Sequence, residues 1–177
     1  MSNICAGIGR GQMTVADEHI AHHRHVQALY EELLKDVDGI TMHSNPGPEY
    51  DSNFWLCTAT LDEKLKIKNE ELAYRQVITG AVGGAAGVTH AAGSAVTDCQ
   101  PNDNVEALRM ALDAANIESR PLWKPMHRQP VYRNSPAYVN GVSEALFATG
   151  ICLPAGPWVT DEHVRYIVDK IKEAIMR

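Results

Sequence analysis

Cysteine is sparse in this chain, with four residues at positions 5, 57, 99 and 152. They are far apart and form no C-x-x-C pair, so neither a metal knuckle nor a dense disulfide framework is expected. We read them as reduced, mostly buried thiols of a cytoplasmic protein. Positive charge is also in deficit, with 16 Lys and Arg against 22 Asp and Glu and a net charge of −6. That balance argues against a general nucleic-acid binder and against a polybasic membrane-surface protein. Met1 is followed by Ser-Asn-Ile-Cys, without a basic leader or apolar core, so no signal peptide is expected. Long hydrophobic runs are missing too. Residues 77–97 lack Asp, Glu, Lys and Arg, but their Gly, Ala, Thr and His90 make them too weakly apolar to span a bilayer.

What is present is globular: 177 residues, 45% hydrophobic and 21% charged, enough for one domain with a real core. Residues 14–37 read as a helix with Ile20, Val26, Tyr30, Leu33, Leu34 and Val37 on one stripe. The small-residue segment 2–13 before it reads as a second helix packed closely on a neighbour. Residues 40–43 and 54–61 are strand candidates, the latter rich in aromatic and β-branched residues. Asp103 with Glu106 forms a capping box for a helix carrying Val105, Leu108, Leu112 and Ala115 inward. Residues 118–122 and 151–153 read as strands and 142–149 as a short helix. Thr160 caps a last helix with a stripe of Val164, Ile167, Val168, Ile171 and Ile175. The order predicts an α+β fold (α/β in the broad sense), a small sheet with helices covering one face. Residues 62–101 form a long loop or insertion within a single domain spanning 1–177.

The strongest chemical signal lies between positions 120 and 133. Arg120, Lys124, His127, Arg128 and Arg133 occur there without any acid, interleaved with Trp123 and Met126. Cations beside an aromatic ring suit a nucleoside diphosphate, and a solvated proline-stiffened loop is the plain alternative. His19 and His23 stand one helical turn apart, a spacing that can chelate a metal. No H-E-x-x-H order or third ligand supports that, so a polar helix face is expected there. The glycines at 80, 83, 84 and 87 lack the lysine and hydroxyl of a phosphate loop and read as a mobile loop. Paired carboxylates such as Asp62-Glu63 read as solvated surface.

Several blocks also resemble a known family. Ser2-Asn3-Ile4-Cys5-Ala6-Gly7-Ile8-Gly9-Arg10-Gly11-Gln12 is similar to the S-N-x-x-A-G-I-G-R-G-Q segment of DegT/DnrJ/StrS-type sugar aminotransferases. Asn53-Phe54-Trp55-Leu56 resembles the aromatic strand that follows in those proteins. Residues 114–130, with Arg120-Pro121-Leu122-Trp123-Lys124-Pro125-Met126-His127, resemble the A-x-x-I-x-x-R-P-x-W-K-P-M-H-x-Q-P block. Cys152-Leu153-Pro154-Ala155-Gly156 and the closing helix match the family ending. Residues 62–101 depart from it, being longer and richer in glycine.

The resemblance implies the C-terminal portion of a type I pyridoxal-phosphate fold that works as a homodimer. Such enzymes carry an amino group from an amino acid, typically glutamate, to a nucleotide-linked keto sugar, as in cell-surface polysaccharide synthesis. It implies that Arg120, Trp123, Lys124 and His127 line the sugar-nucleotide site, His127 near the diphosphate or sugar hydroxyls. It also implies that the Schiff-base lysine lies in an N-terminal catalytic domain without counterpart here. An asparagine that reaches the cofactor phosphate across the dimer would precede Met1. The chain is therefore expected to be a fragment, inactive alone and prone to self-association. A non-catalytic nucleotide-sugar-binding or assembly module is the alternative, and half of a split enzyme is a third possibility.

Overall fold

The computed structural model describes residues 2–67 and 99–176. The glycine-rich phosphate-loop candidate and most of the expected insertion lie outside the described residues.

The chain opens with α1 (Asn3–Met13) and turns through Thr14 and Val15 into α2 (Ala16–Leu34). Ser2 caps α1 by accepting the Cys5 N–H at 3.3 Å, a satisfied donor that offsets part of the helix cost of three glycines. The helix expected at residues 2–13 forms, but none of its residues is buried among the described ones. Ile4, Ile8 and Met13 face solvent. In α2 the apolar stripe turns inward, burying Val26, Tyr30 and Leu34. This helix ends three residues earlier than its periodicity predicts. Beyond it the chain reverses at Gly39, whose φ of +88° suits glycine alone, and Leu65 packs where a β-carbon would lie.

The sheet has four strands among the described residues: β1 (Ile40–Met42), β2 (Cys57–Leu61), β3 (Arg120–Pro121) and β4 (Gly150–Leu153). Their order is β1-β2-β4-β3, with every neighbouring pair antiparallel. Register sets Cys57 opposite Leu153 and Ala59 opposite Ile151. Alternation then sends Cys57, Ala59, Leu61, Ile151 and Leu153 to one face, where all are buried. The helices α2, α3 (Asp103–Ala114) and α5 (Asp161–Ile175) cover that face with Tyr30, Leu108, Leu112, Val164 and Ile171. The α+β sandwich predicted from the element order is the fold observed.

Two strands are shorter than their composition suggests. The 54–61 run becomes regular only at Cys57, because Phe54 sits at φ +48° and breaks the extended chain. The 118–122 run pairs only at Arg120 and Pro121. Proline cannot donate to a ladder, and β3 is an edge strand, where that does not matter.

The second face of the sheet is covered near β4 by α4 (Val142–Thr149), which buries Phe147. Hence all four residues of β4 are buried. Gly150 is the point of closest approach. A β-carbon there would stand 2.1 Å from Leu122 Cδ1 and 2.5 Å from the Leu146 carbonyl oxygen. The backbone oxygen cannot swing aside, so Gly150→Ala should cost about 1–3 kcal/mol, the usual range for overpacking. The measurement is the urea midpoint at unchanged m-value, and an unshifted midpoint would show that α4 yields freely.

The helix ends explain where α3 and α5 lie. Asn102, one residue before the predicted cap, accepts the Val105 N–H at 3.0 Å. Glu106 does not close a box but pairs with Arg109 at 2.6 Å. At the other end Asn116 takes φ +58°, and the Ile117 N–H reaches back to the Leu112 carbonyl at 2.9 Å. Thr160 caps α5 as predicted. His163, rather than an acid, completes its box: the Thr160 N–H donates to His163 Nδ1 and the His163 N–H to Thr160 Oγ1, both at 3.2 Å.

Candidate functional site

The cationic run 120–133 begins on β3. Arg120 lies opposite Cys152, and the Leu122 N–H donates to the Gly150 carbonyl at 3.1 Å. The chain then runs extended to Pro125 and coils into two 3-10 turns, Met126–Arg128 and Pro130–Tyr132. The Gln129 side-chain amide donates to the Lys124 carbonyl at 3.0 Å and closes the first of them. Residues 120–128 are thus placed by the sheet edge and a buried Pro125, not left as a loose loop.

Its charge is offset by acids outside the run. Arg120 pairs with Glu118 at 2.7 Å, both side chains about three-quarters exposed. Glu144, in the first turn of α4, receives His127 Nε2 at 3.1 Å and Arg128 Nε on the same oxygen. Arg128, and then His127, hold the Glu144 carboxyl below its usual range. The electropositive stretch seen in sequence is therefore partly neutralised on folding. Only the three-dimensional approach of α4 reveals this, since Glu144 is remote in sequence.

The four predicted residues do not share a single described cavity. Arg120 lines a groove of about 700 Å³ between the β3–β4 edge and α5. Trp123 joins that side through Trp55, its ring centroid 5.9 Å away at an interplanar angle of 34°. His127 lines a different concavity of about 330 Å³ with Tyr132 and Tyr138. Lys124 is half-buried on the segment between them.

The groove contains residues that sequence reading did not select. Trp55, Trp158 and Tyr166 give it aromatic walls, and Ser119 and Glu118 stand beside Arg120. Trp158 had no periodicity to mark it. Its only local cue is Gly156, where a β-carbon would meet the indole at 2.8 Å.

The histidine-rich turn of α2 grips the segment leading to α5. His22 Nε2 lies 3.3 Å from the Gly156 carbonyl, and His25 Nε2 is 2.7 Å from Asp161 Oδ1. His23 is half-buried, and its burial, with His22 beside it, lowers its pKa. These side chains fasten a loop rather than forming the wholly solvated polar face expected of them. Of the four free cysteines, Cys57 and Cys152 are buried, while Cys5 is exposed and Cys99 half-buried. Burial pushes the Cys57 thiol up to about 12. Among the described residues no helix is long and apolar enough to cross a membrane.

A pyridoxal cofactor held as a Schiff base needs an enclosed lysine. Lys35, Lys64 and Lys66 are exposed, and Lys124, Lys170 and Lys172 are half-buried. Lys68 lies outside the described residues. Among the described residues, then, no lysine is enclosed.

Comparison with known proteins places the chain. Over 176 residues it is 31% identical to EpsN of Bacillus subtilis (strain 168), named as a pyridoxal phosphate-dependent aminotransferase, covering 96% of this chain and 34% of that protein. It is 24% identical to a GDP-perosamine synthase of Escherichia coli O157:H7, covering 98% of this chain and 36% of the relative. The fold superposes on DesI, solved with its TDP-sugar product, at a TM-score of 0.69 and 20% identity, covering all of this chain and 36% of DesI. The PLP form of the sugar aminotransferase Spr1654 from Streptococcus pneumoniae gives a TM-score of 0.70 at 16% identity, covering 99% of this chain and 36% of that one. The chain spans about a third of the length of these relatives. The sequence profile of one family matches residues 1–86 and again 85–172. The chain belongs to the DegT/DnrJ/EryC1/StrS aminotransferase family.

Proposed function

We propose that this chain forms the substrate-facing portion of an aminotransferase that moves an amino group from an amino acid, glutamate above all, to a nucleotide-linked keto sugar. Aminotransferases of this family work with pyridoxal phosphate, which supplies the electron sink for amino-group transfer when bound. The observation that supports the reading is that Arg120 lines a groove whose Trp55 wall is in ring contact with Trp123, with Lys124 next along the chain. The guanidinium offers a two-pronged donor for phosphate oxygens, and the exposed pairing to Glu118 is weak enough to be exchanged. His127, held by Glu144, serves at the far end of the same segment. A cytoplasmic homodimer and a role in polysaccharide or related sugar synthesis belong to this reading. The substrates printed for relatives, a GDP-linked and a TDP-linked sugar, support a nucleotide sugar here.

Titration calorimetry of the chain with GDP-, UDP- and dTDP-hexoses tests it. Binding is expected, with a loss of about tenfold or more in Arg120→Ala and in Lys124→Ala, each removing a charge-assisted bond of about 1.5–3 kcal/mol. Equal affinity in the parent chain and both variants would remove these two residues from the site. The alternative, a module that binds nucleotide sugars or docks on a full-length homologue without catalysing, shares this binding result. It parts from the first reading on whether activity returns with a cofactor domain.

A further inference from the structure

A further recess lies between α2 and the chain that joins β1 to β2, and it shares no lining residue with the groove beside β3. It holds about 390 Å³, enough for a small ligand. Its rim is held in place from both sides. Arg24 of α2 donates through Nη2 to Asp51 Oδ1 at 2.7 Å and through Nε to the Ser52 carbonyl at 3.2 Å. The Ser52 N–H donates in turn to Asn45 Oδ1 at 3.3 Å, which closes the loop on itself. Phe54, at φ +48°, turns the chain out of this loop and is part of the lining.

Gln27 lies at the base of the recess, lining it while only 2% exposed. Its amide nitrogen donates to Glu31 Oε1 at 2.8 Å and to the His43 carbonyl at 3.0 Å. Both partners are acceptors, so the orientation of the carboxamide is fixed and its oxygen is the atom left over. That oxygen has no hydrogen-bond partner among the described residues, a costly state for a buried acceptor. Charge points the same way. The lining holds two carboxylates and one guanidinium; Arg24 is taken by Asp51, and no cation among the described residues pairs with the half-buried Glu31. The recess thus offers acceptors and negative charge beside the apolar surfaces of Phe54 and Ala28. An anion would face Glu31, and an alcohol brings one donor to several acceptors. A primary ammonium brings three donors, no acceptor and a compact positive charge. No group of His, Cys, Asp and Glu among the described residues could take a metal ion there instead.

We propose that this recess binds a primary alkylammonium, its charge against Glu31 and the Gln27 carboxamide oxygen and its stem along Phe54. A free diamine and a lysine side chain of another polypeptide share that chemistry. The site is independent of the nucleotide-sugar reading, and neither stands or falls with the other. The test is an NMR titration of the full chain with 1,5-diaminopentane, with Nα-acetyl-lysine methylamide and with 1-pentanol as the uncharged match. Both amines are expected to bind with a Kd on the order of 1 mM, the reach of so few non-hydrogen atoms. They should move the Gln27 side-chain amide and the backbone amides of Ala28 and Ser44. Glu31→Gln keeps an acceptor for Gln27 and removes the charge, so amine affinity should fall about tenfold. Asp51→Asn, at an exposed position, is the second variant; it lowers the negative charge of the lining and should weaken the amines as well. Tighter binding of the diamine assigns the site to a free amine, and tighter binding of the lysine derivative to a polypeptide side chain; either order supports the proposal. Pentanol binding as tightly as the amines, amine affinity unchanged in both variants, shifts scattered over the acidic surface, or no shift at all would overturn it.

Discussion

Tyr30→Ala is expected to leave much of the chain unfolded at 25 °C, whereas Tyr30→Phe should remain folded with a lower midpoint. Tyr30 is fully buried in α2 at the centre of the core. Its hydroxyl donates to the Pro154 carbonyl at 3.0 Å, tying α2 to the end of β4. Removing the whole ring costs about 3–5 kcal/mol by analogy with other large-to-small core changes. A domain of this kind has only about 5–15 kcal/mol in hand, so the alanine variant loses a large fraction of it. Phenylalanine keeps the ring and strands only the Pro154 carbonyl, at about 1–3 kcal/mol.

Alkali adds a second readout. Burial, with Cys57 adding to it, pushes the Tyr30 phenol up from its ordinary value near 10. The folded state therefore holds a proton that the unfolded state gives up. That contribution to stability is fully present below about pH 10 and declines as pH rises beyond it. In Tyr30→Phe the decline should be shallower, with the Cys57 thiol still contributing from its unfolded value near 9 upward. Urea midpoints between pH 7 and 11 measure both effects. Equal midpoints for the parent and phenylalanine chains across that range would sink the argument that this hydroxyl matters.

Tyr30 also shows what could be seen in advance and what could not. Its place on the α2 stripe follows from spacing alone, as do the inward positions of α3 and α5, because a helical period of 3.6 is written in local order. The Thr160 cap was legible for the same reason. Partners across the fold were not. That Tyr30 meets Pro154, that His22 meets Gly156, and that Glu144 neutralises Arg128 and His127 depend on how α2 and α4 approach the sheet. Strand ends were misjudged where one residue overrides composition: Phe54 in the left-handed region breaks a run that aromatic content marks as strand.

The site shows the same division. Arg120 and Trp123 stand out in sequence as a basic, aromatic pair; in the fold Arg120 lines the groove, and Trp123 is in ring contact with Trp55 of its wall. Trp55 was read only as strand material and Trp158 not at all, since an exposed ring has no pattern to betray it. The acid-free interval from 120 to 133 suggested more free positive charge than folding leaves. Acids on either side of that interval come back to it in space.

The second large effect concerns catalysis. Mixed with pyridoxal phosphate, glutamate and a nucleotide-linked keto sugar, the chain alone should transfer amino groups no faster than the cofactor in buffer. None of its described lysines is enclosed, whereas a Schiff-base lysine is activated by desolvation in an apolar pocket or by a neighbouring cation. Chromatography should recover the cofactor unbound. Adding the first two-thirds of a relative such as EpsN, which this chain matches over 34% of that protein's length, should restore turnover if α1, with Ile4, Ile8 and Met13 exposed, finds its seat there. A gain of about a thousandfold over the separate pieces is the expected scale, since an assembled site supplies far more than proximity of free cofactor to substrate. Turnover that returns and is then lost in Arg120→Ala would tie the chain's own site to the reaction. Borohydride trapping of cofactor on a single lysine of the isolated chain, together with amino transfer, would overturn the claim that this part depends on another for its chemistry.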